Sequence, residues 1–204
     1  MSQLPEDRAG LHVDDSPDRN ASCQEFTSEE RKILLTLAHE AIASALEKRE
    51  ISSTAPSSHL DEPRGAFTTI YIEGDLRGCV GYVFPAMSLY RTVIETARSA
   101  AFDDMRFTPV TAGETDRLTV SLSVLSPLQT IKPEDVEVGR HGLLVAQHGF
   151  RGLLLPQVPL EHGWDRMTFL EQTCRKAGLP LDAWRKGASL QAFTAELFGD
   201  GDVT

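Results

Sequence analysis

Apolar side chains at Ile33, Leu34, Leu37, Ala38, Ala41, Ile42 and Ala45 recur with a helical period, and Thr27 followed three positions later by Glu30 supplies the capping box that starts a helix. The stripe needs a sheet or a second helix to cover it. The stretch from Ser52 to Pro63 is rich in Ser, Thr and Pro and reads as a loop too polar for the core. Ala66 to Ile72 is β-branched and aromatic, Glu73-Gly74-Asp75 is a turn signal, and Leu76 to Val83 returns as the second arm of a hairpin. A helix follows over Ser88 to Ala101, with Leu89, Val93, Ala97 and Ala100 on one side, and it ends at Asp103-Asp104-Met105-Arg106-Phe107-Thr108-Pro109.

Leu118, Val120, Leu122 and Val124 alternate with Thr119, Ser121 and Ser123, the signature of a half-buried strand. Gly142 to Ala146 and Phe150 to Leu155 are apolar runs split by Gln147-His148-Gly149, which predicts a second hairpin. Asp165 caps a helix carrying Met167, Leu170, Cys174 and Ala177 and closed by Gly178 and Pro180, and a final strand over Leu190 to Phe198 returns to the main sheet. Hairpins imply antiparallel pairing and no βαβ unit repeats. The prediction is an α+β fold, a mostly antiparallel sheet flanked by helices.

At 204 residues and 41% hydrophobic content the chain can bury a core of its own. Its formal charge of −10 argues against a nonspecific binder of nucleic acid, which needs Lys and Arg to displace counterions. Residues 1–26 hold six acidic side chains against Arg8 and Arg19, and are expected to be an acidic, disordered tail. The expected domain runs from 27 to 199, with a short tail over 200–204. Nothing reaches the ~18 apolar residues of a membrane helix and no signal sequence is seen, so a cytoplasmic protein without membrane association is expected.

Cys23, Cys79 and Cys174 have no short spacing between them, so neither a disulfide framework nor a redox pair is indicated. Cys79 stands out because Arg77-Gly78-Cys79-Val80-Gly81 sets a basic residue and a thiol between glycines. A nucleophilic cysteine needs nearby positive charge to become thiolate, and in a strand Arg77 and Cys79 share a face, so Arg77 is the candidate activator. The alternative is a packed thiol whose flanking glycines admit a neighbouring backbone or ring. A phosphatase loop would require arginine where Pro85 stands, the phosphate-loop and nucleophile-elbow motifs are missing, and Gly78-Cys79-Val80-Gly81 lies between strands, whereas a KH loop lies between helices. The six histidines show no metal-ligand spacing, so no metal and no cofactor are expected. His141 is retained as a candidate acid, base or pocket residue against the alternative of a turn cap. Arg151 faces either a ligand anion or a structural carboxylate, and Gln157 follows the same strand. Asp103, Asp104 and Arg106 read as solvated turn residues.

Together, Pro63-Arg64-Gly65-Ala66-Phe67, Leu76-Arg77-Gly78-Cys79-Val80-Gly81, Asp103-Asp104-Met105-Arg106-Phe107, Gly139-Arg140-His141-Gly142-Leu143, Arg151-Gly152-Leu153-Leu154-Leu155-Pro156-Gln157-Val158 and Gly163-Trp164-Asp165 closely resemble the AMMECR domain family, in the form called AmmeMemoRadiSam system protein A. The resemblance covers residues 27 to 199. It implies an α+β fold with a larger part built from both chain ends, a smaller lobe, and the cysteine motif near the cleft between them. It also implies Memo-type and radical SAM proteins as partners, but no reaction. Two functions follow. One is a non-catalytic component of such a pathway, acting through the cleft. The other is a cysteine-dependent enzyme acting on a small molecule or a macromolecule, with Cys79 and His141 catalytic and Arg77, Gly78, Gly81, Arg151 and Gln157 binding the ligand.

Overall fold

The computed structural model describes residues 25–202. Most of the expected acidic tail, Cys23 included, lies outside the described residues. The chain runs α1 (Ser28–Leu46), β1 (Ala66–Ile72), β2 (Asp75–Tyr82), α2 (Leu89–Phe102), β3 (Leu118–Leu125), β4 (Gln129–Thr130), β5 (Gly142–Gln147), β6 (Phe150–Leu154), α3 (Val158–Glu161), α4 (Arg166–Lys176), β7 (Ser189–Phe193) and β8 (Ala195–Gly199). Two four-stranded antiparallel sheets result, ordered β2-β1-β3-β8 and β4-β7-β5-β6. The fold is α+β, with the second sheet inserted between β3 and β8. The larger lobe is therefore built from both ends of the chain.

The capping box forms as predicted: Thr27 Oγ1 accepts the Glu30 N–H, and the Glu30 carboxylate accepts the Thr27 N–H. Strand alternation decides which face each helix covers. Ala66, Thr68 and Ile70 on β1 and Val120, Leu122 and Val124 on β3 are buried in one core with α1 and α2. A second core joins Leu143, Val145, Leu190 and Ala192 of the inserted sheet to Phe169, Leu170 and Cys174 of α4. Burial raises the Cys174 thiol pKa above its ordinary value, as suits a packing thiol. Leu125, Leu144 and Phe193 are buried yet belong to neither core. Alternation turns Leu144 and Phe193 away from α4 and Leu125 away from α1 and α2, onto the opposite faces of their sheets.

Four expectations are corrected. The loop from Ser52 to Pro63 contributes Leu60 to the first core. The run Leu190 to Phe198 is two strands rather than one: β7 pairs in the inserted sheet and β8 in the first. The switch occurs at Thr194, whose N–H donates to Ser126 Oγ while its carbonyl accepts the Ser126 N–H. Phe26, placed in the tail, is buried and stacks on His59 at 4.8 Å between ring centroids. Asp200 is likewise fixed, its carboxylate accepting the Val120 N–H at 2.7 Å and contacting His39 Nε2 at 2.9 Å.

Candidate functional site

The Cys79 strand lies at the free edge of the first sheet, paired on one side only with β1. Gly78 faces the helices. A methyl group there would lie 2.0 Å from the Ala100 carbonyl oxygen, so α2 packs directly on the strand backbone. Cys79, one residue on, points to the opposite face, level with Thr69 and, beyond it, Ser121. Thr69 Oγ1 donates to Cys79 Sγ at 3.3 Å. Gly81 shares that face, and the Phe67 ring lies across it, 2.2 Å from where a Cβ would stand. Both glycines are thus explained by close packing, one against a helix backbone and the other against a ring.

A residue at a sheet edge carries an N–H and a carbonyl that need partners. Here Asp104 and Arg106 supply them. The Cys79 N–H donates to Asp104 Oδ2 at 2.9 Å, the Cys79 carbonyl accepts from Arg106 Nη2 at 3.2 Å, and Arg106 in turn forks onto Asp104 at 2.7 and 2.9 Å. The Asp104 side chain is 7% exposed. The expectation of solvated turn residues is therefore wrong for Asp104. The Arg106 guanidinium first, and the Cys79 N–H second, hold the Asp104 carboxyl far below the usual carboxylate range. Sequence reasoning missed this clasp because nothing in residues 103–107 states which strand edge the loop returns to.

Arg77 does not reach the sulfur. Its guanidinium donates to Glu114 Oε1 at 3.1 Å and to the Thr108 and Pro109 carbonyls, so it ties the loop after α2 to the strand instead of activating the thiol. Glu114 accepts from Thr111 through both its hydroxyl and its N–H, and with Arg77 beside it its pKa falls to about 2. The loop closing the Cys79 edge is thus held by two carboxylates, Asp104 and Glu114, whose folded pKa values lie below their unfolded ones. Their contribution is complete above about pH 4.5, the ordinary upper carboxylate range, and is lost as the pH falls through the folded values. Urea unfolding followed from pH 6 to pH 2.5 is expected to show a falling midpoint below about pH 4.5. The fall should be shallower in Asp104→Asn, and a midpoint indifferent to that substitution across the range would contradict the assignment.

The other candidate residues lie in the inserted lobe. Arg151 shares the face of Leu144 and Phe193, and its guanidinium lies over the Phe84 ring at 4.4 Å, so it meets the segment leaving β2. It forms no ion pair with a structural carboxylate among the described residues. His141 Nδ1 accepts the Glu137 N–H at 3.1 Å, which leaves the proton on Nε2, and burial lowers its pKa. The geometry is that of a turn cap. Gln157 is exposed at the start of α3, its carbonyl accepting the Glu161 N–H. Arg77, Gly78, Cys79 and Gly81 are therefore brought together on one strand, and Arg151 reaches the segment that follows it. Neither His141 nor Gln157 is hydrogen-bonded to any of them among the described residues. No group of three or more His, Cys, Asp or Glu that could hold a metal is found among the described residues, and no helix there is long and apolar enough to cross a membrane.

The sequence model of the AMMECR1 family matches residues 35–198. A protein of Methanopyrus kandleri is 40% identical over 187 residues, covering 86% of this chain and 90% of the relative. One from Aquifex aeolicus is 38% identical over 175 residues, covering 81% and 90%. The crystal structure of an uncharacterized protein from Pyrococcus horikoshii superimposes with a TM-score of 0.66 at 40% identity, covering 82% of this chain and 89% of that one.

Proposed function

The chain belongs to the AMMECR1 family, and from that premise we propose that it is a binding component of a pathway shared with a Memo-type and a radical SAM protein, engaging its partner through the Cys79 face of the first sheet beside the inserted lobe. One observation carries this reading: the Cys79 backbone is clasped from the strand edge by Asp104 and Arg106, while its side chain stands half-buried on the face that α1 and α2 leave uncovered. A fixed backbone beneath a row of small side chains, Cys79, Thr69 and Ser121, is a preorganised surface for recognition. The sulfur is hydrogen-bonded to no histidine, lysine or carboxylate among the described residues, so the site lacks the adjacent base of a cysteine nucleophile.

Binding of the purified Memo-type and radical SAM proteins from the same organism tests the proposal. At least one should bind the wild-type chain, Cys79→Ser should retain binding within about threefold, and Ser121→Arg, which fills the face, should weaken it at least tenfold, as burial of a misplaced charge does. Absence of binding by both partners would overturn it. The cysteine-dependent enzyme is the second reading, favoured by the Thr69 hydroxyl donating to the half-buried Sγ. On that reading, Cys79→Ser abolishes cellular function while partner binding persists, and Cys79 alkylates faster than a free thiol at neutral pH.

A further inference from the structure

At one end of the inserted lobe, the turn between β5 and β6 meets the end of α4 and the loop that leads to β7. Gln147 Nε2 donates to the Lys186 carbonyl at 3.2 Å, and a Cβ at Gly152 would lie 2.2 Å from the Ala177 nitrogen. A Cβ at Gly178 would meet the Phe150 ring at 3.9 Å. Phe150 and Leu181 are 59% and 48% exposed there, among the exposed side chains of Arg175, Lys176, Arg185 and Lys186. We propose that this tip is the docking surface for the acidic segment of the same chain over residues 11–18.

The tip is basic with its neighbouring carboxylates counted. Arg175, Lys176 and Arg185 form no ion pair among the described residues, and Lys186 pairs with Asp182 at 2.6 Å. With Glu171, one turn before Arg175 on α4, the four cations stand against two carboxylates. The whole lobe, residues 129–193, holds eight Lys and Arg and seven Asp and Glu, while the rest of the chain carries −11. Exposed apolar side chains inside a positive patch suit an acidic partner with apolar residues of its own.

Leu11-His12-Val13-Asp14-Asp15-Ser16-Pro17-Asp18 has that composition: two aliphatic side chains and three carboxylates, with no Lys or Arg. It matches the two exposed apolar groups and offsets the surplus charge. Reach is sufficient. Glu25 is held at Glu196, which accepts its N–H at 2.7 Å. Asp18 lies seven residues before Glu25 and Leu11 fourteen, spans of up to ~23 and ~46 Å against a body roughly 40 Å across. Tethering raises the local concentration to about the millimolar range, so a contact too weak between separate molecules is occupied within one.

An anionic membrane or a nucleic acid matches the tip less well. The surplus there is small, and the −11 carried by the rest of the molecule repels an extended anionic surface. The docking surface belongs to the inserted lobe, whereas Cys79 belongs to the first sheet, so neither proposal depends on the other.

A nitroxide placed on Ser16→Cys, in the full chain carrying Cys23→Ser and Cys79→Ser, provides the test, read as broadening of backbone amide NMR signals. Broadening is expected within residues 147–150 and 175–187, and it should disappear in about 1 M NaCl, where the Debye length is ~3 Å. Lys176→Gln with Arg185→Gln, both at exposed positions, should weaken docking about threefold without changing Tm. Asp14→Asn with Asp15→Asn, which alters no described residue, should do the same. Absence of broadening at the tip overturns the proposal, as does broadening indifferent to both pairs of substitutions. Broadening of an unlabelled copy by a nitroxide-bearing one would assign the contact to a second molecule. Binding to vesicles of phosphatidylcholine and phosphatidylserine that Lys176→Gln abolishes would assign the tip to a membrane. Either result overturns docking within one chain.

Discussion

Replacing Gly78 by alanine is expected to cost about 3 kcal/mol, at the upper end of what overpacking a well-filled site costs. The added methyl would stand 2.0 Å from the Ala100 carbonyl oxygen and 3.2 Å from Ile70 Cγ1, and the first of these is backbone, which cannot swing aside. Either α2 lifts from the sheet, opening the core around Ala97 and Ala100, or β2 is pushed outward and strains the Asp104–Arg106 clasp on its free edge. For a domain of this size the loss corresponds to a drop in Tm of roughly 6–12 °C. Thermal unfolding by circular dichroism measures it. A variant melting within two degrees of wild type, on the order of less than 1 kcal/mol, would mean that α2 does not rest on the strand backbone. Because the strand carries Cys79, the same variant should perturb partner binding more than Cys79→Ser does.

Phe198→Ala is expected to cost about 4 kcal/mol, within the range for deleting a buried aromatic ring. Phe198 is 1% exposed, while its neighbour Leu197, on the other face of the same strand, is 72% exposed. The ring lies 6.3 Å from that of Phe26 and 5.7 Å from the Arg31 guanidinium. Its loss leaves a cavity where the two ends of the chain meet the first sheet. Hydrogen exchange should then report early opening of β8 and of the α1 start, before the inserted sheet with its separate core around Phe169 is affected. Loss of protection that begins in β5 and β6 would contradict this order. Leu197→Ala is the control, with an expected change within about 0.5 kcal/mol.

The elements were legible wherever local periodicity and end signals coincided. Thr27 and Glu30 marked α1, Ser88 preceded α2, Asp165 capped α4, and Glu73-Gly74 and His148-Gly149, with positive φ at all four residues, made the turns of both hairpins. Leu60 was not legible because a single apolar residue in a polar loop has no period. The break at Thr194 was not legible because an extended run looks the same whether one sheet or two receive it; the reciprocal bonds with Ser126 decide it.

At the candidate site the sequence identified Cys79 and the two glycines that bracket it, since Gly-rich strand positions announce close approach before the approaching group is known. It could not identify that group. Ala100 and Phe67 occupy the space at the glycines, and Asp104 and Arg106 close the strand edge from a loop about 25 positions away, a separation over which composition carries no pairing information. Arg77 shows the same limit. Strict alternation set it beside Cys79, but the register of β2 slips opposite Ile70 and Tyr71 and leaves Arg77 without a cross-strand partner, and its long guanidinium goes to Glu114 and the Thr108 and Pro109 carbonyls instead of the sulfur.

By itself, then, the sequence determined most of the helices and strands, the α+β class, the resemblance to the AMMECR domains and the glycine-bracketed strand that carries Cys79, because each rests on residues adjacent in the chain or spaced by a helix or strand period. Only the tertiary structure decided that β7 and β8 serve different sheets and that the thiol's strand is clasped by Asp104 and Arg106. Those depend on which distant groups satisfy a free strand edge, a helix end or a buried charge, and that choice is made by packing in space.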